Sequence, residues 1–166
     1  LKYPPHLRCL PEIFATFPDA CVIHAHRDPA RVVPSYASLL ANFTAVYEDD
    51  VDPRAIARLS LRMWSERIAK GMRDRAELDR EERFFDLQFR EVLEDPVGAV
   101  ERAFRRFGLP LSDEGRARMR AWVAAHPQGR HGQHGYSTDQ FGLDRDQMSG
   151  LFHEYRERFG VPEERG

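Results

Sequence analysis

An α/β fold, a parallel sheet with flanking helices, is the class this sequence predicts, and three observations carry it. Residues 21–26 (CVIHAH) form an apolar run long enough for a strand and too short for a buried helix. Directly after it, Asp28 and Pro29 pair an N-cap acceptor with a first-turn proline, which is a helix-start signal. A second short run, residues 83–89 (RFFDLQF), reads as another strand, and helical patterns lie between and after the two.

The elements follow in order. Residues 2–5 read as a strand end or extended turn, since two prolines disfavour a helix there. From His6, the positions Leu7, Leu10, Phe14 and Phe17 share a helical face that Pro18-Asp19 ends. The strand, about 20–26, feeds a helix over about 29–43, in which Pro34 removes one backbone bond and should introduce a bend. Residues 44–52 form an acidic link. Asp52-Pro53 then starts a long helix with Ile56, Leu59, Met63, Trp64 and Ile68 as its core stripe and the charged stretch 73–83 as its solvated end. Asp95-Pro96 opens a helix with Val97, Val100, Phe104 and Phe107 inward, closed by Gly108 and Pro110. Ser112 caps the next helix, which carries Met119, Trp122 and Val123. The last one places Met148, Leu151, Phe152, Tyr155 and Phe159 in the core.

At 166 residues the chain has the length of one ordinary domain with a real core. A net charge of −2 gives bulk electrostatics no hold on nucleic acid or on an anionic membrane, so neither is expected as a partner. No apolar run approaches the length of a membrane span. Cys9 and Cys21 are the only cysteines and show no CxxC or metal-type pairing; this fits a reduced, cytoplasmic compartment. Lys2 and Lys70 are the only lysines among 25 basic residues, and arginine is the side chain suited to bidentate anion binding.

The chemistry concentrates at Arg27. It falls where a strand ends and a helix begins, the edge at which open α/β sheets bind ligands. A guanidinium beside unpaired helix N–H groups and the positive end of a helix dipole makes an anion site. Ser35, eight residues on, lies about two turns into the helix and can add a hydroxyl from the same side. The plain alternative is a surface arginine or one half of an ordinary ion pair. Residues 127–142 (PQGRHGQHGYSTDQFG) carry four glycines, Arg130, His131, His134 and Tyr136 without periodicity. Such a loop can be a metal site, an anion-binding flap or a plain mobile loop. Two histidines three apart without a nearby cysteine or carboxylate are poor zinc ligands, and a glycine-rich loop with an arginine suits an anion better.

Four segments taken together carry a family resemblance: LKYPPHL, FPDACVIHAHRDPARVVPSYASL, FFDLQFREVLEDPVGAVERAFRRFGLPLS and GRHGQHGYSTDQFGL. In this order they resemble the C-terminal two-thirds of the PAPS-dependent sulfotransferases, bacterial branch. The resemblance implies a P-loop nucleotide-hydrolase-like fold and transfer of a sulfuryl group from PAPS (3′-phosphoadenosine 5′-phosphosulfate) to a hydroxyl or amine on a small-molecule or carbohydrate acceptor, leaving PAP. It assigns the 3′-phosphate to Arg27, Ser35 and Arg130. It places Phe89 where relatives carry an adenine-contacting tyrosine, so stacking persists and a hydroxyl contact is lost. The family's Lys-x-His puts its lysine on Lys2 and its histidine on Pro4; His6, two residues later, is the candidate base, with an imidazole pKa suited to that role. No metal is expected.

One family feature is missing from these residues. The loop that holds the 5′-phosphosulfate, of the P-x-S-G-T type, does not occur, and the first glycine is Gly71. The expectation is therefore a single, partial domain over 1–166 that lacks its first β-loop-α unit. It should be inactive as a fragment and should tend to self-associate through uncovered apolar surface. A non-catalytic nucleotide-binding or interaction module of the same fold is the alternative. A phosphoryl-transfer enzyme would need a Walker-type GK[ST], which is absent.

Overall fold

The computed structural model describes residues 2–127 and 141–164. In chain order it holds a 3-10 turn (Pro4–Arg8), α1 (Leu10–Thr16), β1 (Val22–His26), α2 (Pro29–Thr44), α3 (Pro53–Leu78), a second 3-10 turn (Glu81–Arg83), β2 (Phe84–Gln88), α4 (Phe89–Glu94), α5 (Pro96–Arg106), α6 (Asp113–Ala125), α7 (Arg145–Leu151) and α8 (His153–Phe159). Two compact units form, one from residues 1–18, 27–79 and 135–166 and the other from 19–26 and 80–134. No helix among the described residues is long and apolar enough to cross a membrane.

Local chemistry sets the helix starts. Asp28 Oδ1 accepts from Ala30 N at 3.0 Å, Asp52 Oδ1 from Arg54 N at 2.8 Å, Asp95 Oδ1 from Gly98 N at 2.9 Å and Ser112 Oγ from Gly115 N at 3.0 Å. Each satisfies a first-turn N–H that has no partner within its helix. In the first three, proline at the first helical position has no N–H to satisfy.

In the first unit, α2 and α3 pack with α7 and α8 around Val33, Ile68, Met72, Met148, Phe152, Tyr155 and Val161, all buried. Ala37, Ala57 and Phe141 form a second buried cluster. The face of α3 that turns inward differs from the expected stripe. Ala57, Ser60, Arg67, Ile68, Gly71 and Met72 are buried, whereas Leu59 is exposed. Small residues line this face, Ala57, Ser60 and Gly71 among them, and at Gly71 the Leu7 side chain fills the space a larger residue would take. The charged end of α3 is not wholly solvated either: Asp74 and Arg75 are buried, and Asp74 is paired to Lys70 at 2.5 Å. The single final helix expected from the aromatics is broken at Phe152 into α7 and α8, and Leu151 is exposed.

Pro4 and Pro5 occupy the first positions of the 3-10 turn, where proline's fixed φ is an asset, so a helical turn replaces the expected extended segment. This turn carries His6 and packs on α3 through Leu7. A Cβ added at Gly71 would overlap Leu7 Cγ. Gly71→Val should therefore cost about 1 kcal/mol, the overpacking term outweighing valine's better helix propensity. A denaturant midpoint lowered at unchanged slope checks this.

In the second unit, β1 and β2 pair in parallel, with Val22 opposite Phe84, His24 opposite Asp86 and His26 opposite Gln88. Phe84, Leu87, Val97, Ala99 and Ala103 are buried in this unit. Ile23, on the face of β1 opposite His24 and His26, is 52% exposed, a large apolar side chain left uncovered. Phe89 opens α4 rather than closing the strand. Gln88 and Glu91 make a capping box there, the Gln88 N–H donating to Glu91 Oε2 at 2.9 Å.

Candidate anion site at the start of α2

Arg27 follows the last residue of β1, and Asp28 caps α2. The Asp28 side chain is almost wholly buried because it serves two partners. Oδ1 takes the Ala30 N–H, and Oδ2 takes the backbone N–H of Glu164 at 2.9 Å. The second bond ties the end of the described chain to the start of α2. Glu164 then presents its carboxylate to Arg27: Nε donates to Oε1 at 3.0 Å and Nη2 to Oε2 at 3.0 Å. This fork-to-fork pairing is the geometry in which arginine recognises planar or tetrahedral oxyanions. Arg31 Nε lies 3.9 Å from Oε2 of the same carboxylate.

The Arg27 and Glu164 side chains are 36% and 34% exposed, so the pair is open to exchange rather than sealed in the core. Of the two readings the sequence left open for Arg27, ion pair or anion clamp, the structure displays the ion pair, in bidentate form. Ser35, on the second turn of α2 and exposed, makes no hydrogen bond through its hydroxyl among the described residues. Arg31 stands four residues after Arg27 and four before Ser35, on the same side of the helix as Ser35. That spacing was present in the sequence and points to Arg31 as a member of the cluster. Glu164 could not be found in this way, lying 137 residues from Arg27.

The other sequence candidates are placed as follows. Lys2 is exposed, and His6 is half-buried in the first 3-10 turn with its ring edge-on to Tyr3 at 5.5 Å. Among the described residues no hydrogen bond joins His6 to Arg27 or Ser35. Phe89 is half-buried at the start of α4 in the second unit. Arg130, with the rest of the glycine-rich loop 128–140, lies outside the described residues.

A further cluster stands on β1 and β2. His26, wholly buried, is hydrogen-bonded through Nε2 to Asp86 Oδ1 at 2.7 Å, and His24 Nδ1 is 3.9 Å from the same oxygen. Donor atoms of all three lie within 4.8 Å of one another, close enough to share a cation. The shortest of these contacts is a hydrogen bond across the sheet, and it holds together the strand end that leads into Arg27. Asp86→Ala removes this acceptor from a buried imidazole and should lower stability by about 1 kcal/mol. Thermal melting should show a fall of roughly 2–4 °C.

Comparison with known proteins shows the family. The model of the Sulfotransferase family matches residues 1–113. The omega-hydroxy-beta-dihydromenaquinone-9 sulfotransferases Stf3 of Mycobacterium bovis and Mycobacterium tuberculosis are each 24% identical over 155 residues, covering 90% of this chain and 37% of theirs. The crystal structure of sulfotransferase STF9 from Mycobacterium avium superposes with a TM-score of 0.87 at 31% identity, over 98% of this chain and 42% of that one. For sulfotransferase STF1 from Mycobacterium tuberculosis the TM-score is 0.78 at 30% identity, over 93% and 39%. The chain thus spans about two-fifths of the length of the relatives it matches. Its α/β architecture, with a parallel strand pair feeding a capped helix, is that of these enzymes, and the chain belongs to the sulfotransferase family.

Proposed function

We propose that this chain supplies the 3′-phosphate side of a PAPS site in a sulfotransferase acting on a hydroxyl- or amine-bearing small molecule or carbohydrate. The observation that carries this reading is the bidentate grip of Arg27 on a carboxylate, which makes Glu164 a stand-in for a phosphate. A position built to hold two oxygens of one anion fits a phosphate monoester, and Arg31 adds a second positive charge on the same side. PAPS, when bound, brings the sulfuryl group to be transferred.

The chain's own residues then have distinct tasks. Arg27 takes the 3′-phosphate after Glu164 swings away, and the free Ser35 hydroxyl donates to another of its oxygens. The family resemblance assigns Arg130 to the 3′-phosphate and Phe89 to the adenine. His6 holds the proton released by the acceptor, and Lys2 stabilises negative charge nearby. A hydroxyl acceptor agrees with the hydroxylated dihydromenaquinone in the names of the Stf3 relatives. Cys9 and Cys21 are both unpaired and exposed, so a reducing, cytoplasmic setting belongs to the same reading.

The test is a transfer assay with PAPS labelled in its sulfuryl group, a panel of hydroxylated acceptors and, in parallel, a PAP titration. Label in acceptor, lost when PAP is in excess, is the expected result. PAP binding without transfer selects the non-catalytic nucleotide-binding module instead. Failure of PAP to bind overturns both.

A further inference from the structure

We propose that an open groove between the first half of α3 and the segment around α7 binds a single-chain anionic amphiphile, a hydrocarbon tail ended by one acidic group. The groove offers about 670 Å³, within the range of small-molecule sites, and its lining lies wholly in the first unit. One side is a row of exposed guanidiniums, Arg54, Arg58 and Arg62 of α3. Four residues apart, they share a helix face and stand about 6 Å from one another along its axis. The apolar lining comes from Leu61 of α3 and, beyond it in the chain, from Phe141, Leu143 and Leu151. A Cβ added at Gly142 would stand 3.5 Å from Arg54 Nε, so the two sides meet there. No carboxylate is among the described lining residues.

The arginine row stands against two electrostatic costs. Like charges four apart on a helix repel, and α3 has no acidic residue before Glu66 to interleave with them. Arg54 also sits in the first turn, where the positive end of the helix dipole disfavours a cation. Farther along the same helix the ordinary arrangement returns, with Lys70 and Asp74 four apart and paired. Among the described residues Arg54 and Arg62 form no ion pair, and Arg58 reaches only Asp52, at 3.8 Å with both side chains mostly exposed. An anion relieves all of this at once, and the apolar lining beside the row asks for an anion with a hydrocarbon body. A bare inorganic ion would leave Phe141 and the leucines uncovered. A long polyanion or an anionic bilayer would run from Arg54 onto the preceding link, where Glu48, Asp49, Asp50 and Asp52 repel it.

Calorimetric titration of the full chain with sodium decanoate, kept below its micelle threshold, tests the groove. One saturable site per chain is expected. Sodium butyrate keeps the acid and loses most of the tail, and decyl glucoside keeps the tail and loses the charge. Each should bind at least tenfold more weakly than decanoate. No saturable decanoate binding, or binding of either control as tight as that of decanoate, overturns the proposal without any variant. Poly-L-glutamate binding as tightly per site as decanoate makes the row a polyanion surface and overturns it as well.

Two variants locate the binding. The triple substitution Arg54→Gln, Arg58→Gln and Arg62→Gln removes three exposed charges and should fold, with a melting temperature at or above that of the wild type once the repulsion is gone. It should weaken decanoate about tenfold or more and leave decyl glucoside unchanged. Leu151→Gln, at a side chain 50% exposed, should weaken decanoate and decyl glucoside alike. Decanoate affinity unchanged in the triple variant places the binding elsewhere and overturns the site. The groove shares no side chain with the Arg27 cluster, so failure here leaves the 3′-phosphate reading to be judged on its own tests.

Discussion

Replacing Arg27 with alanine should weaken binding of adenosine 3′,5′-bisphosphate by one to two orders of magnitude. Charge-assisted hydrogen bonds contribute roughly 1.5–3 kcal/mol each, and about 1.4 kcal/mol is a factor of ten. The side chain already makes two such bonds to a carboxylate, at 3.0 Å each, so its reach and orientation suit an oxyanion at that place. The variant should fold, because the side chain it removes is 36% exposed. Isothermal calorimetry on both proteins checks the prediction, and a difference of less than threefold would contradict it. Arg27→Lys should rescue only part of the loss, since an ammonium cannot pair with two oxygens in one plane.

Glu164→Gln should act in the opposite direction and tighten bisphosphate binding by about tenfold. In the wild type the Glu164 carboxylate competes for the guanidinium the phosphate needs. An exposed pair of this kind is worth only about 0–1 kcal/mol, so competition alone gives a few-fold effect. The rest comes from charge. A carboxylate left within several ångströms of a dianionic phosphate costs on the order of 1 kcal/mol even at high effective dielectric. Raising the salt concentration should narrow the gap between wild type and variant, because the repulsive part is screened. The anchor that aims Glu164 is its own backbone N–H bond to Asp28, which the substitution leaves in place.

Much of the local structure was legible because it is written in adjacent residues. Asp28-Pro29, Asp52-Pro53, Asp95-Pro96 and Ser112 are caps whose acceptors act two or three positions away, and the helices begin where those pairs fall. Strand β1 and its hand-over to Arg27 were legible for the same reason. Helix α4 was equally local, through Gln88 and Glu91, but a box read across a strand end is easily taken as more strand.

What the sequence did not disclose depends on contacts between distant segments. The buried side of α3 was misjudged at Leu59, since counting large apolar residues overlooks small ones such as Ala57 and Ser60, which are wholly buried, and Gly71, against which Leu7 packs. The partnership of His26 with Asp86 follows from parallel strand register, not from either strand alone. Arg27 was singled out as a charged group at a strand end, yet the carboxylate that meets it sits at the far end of the chain. Arg67 escaped notice because an arginine in a long charged helix reads as solvated unless its packing is known.

In the proposed function Glu164 occupies, on Arg27, the place of a ligand oxyanion. A double-mutant cycle on adenosine 3′,5′-bisphosphate affinity tests it most directly, using wild type, Arg27→Ala, Glu164→Gln and the pair. The gain from Glu164→Gln should largely vanish once Arg27 is alanine, leaving the double variant close to Arg27→Ala alone. A gain of undiminished size in the absence of Arg27 would contradict the account.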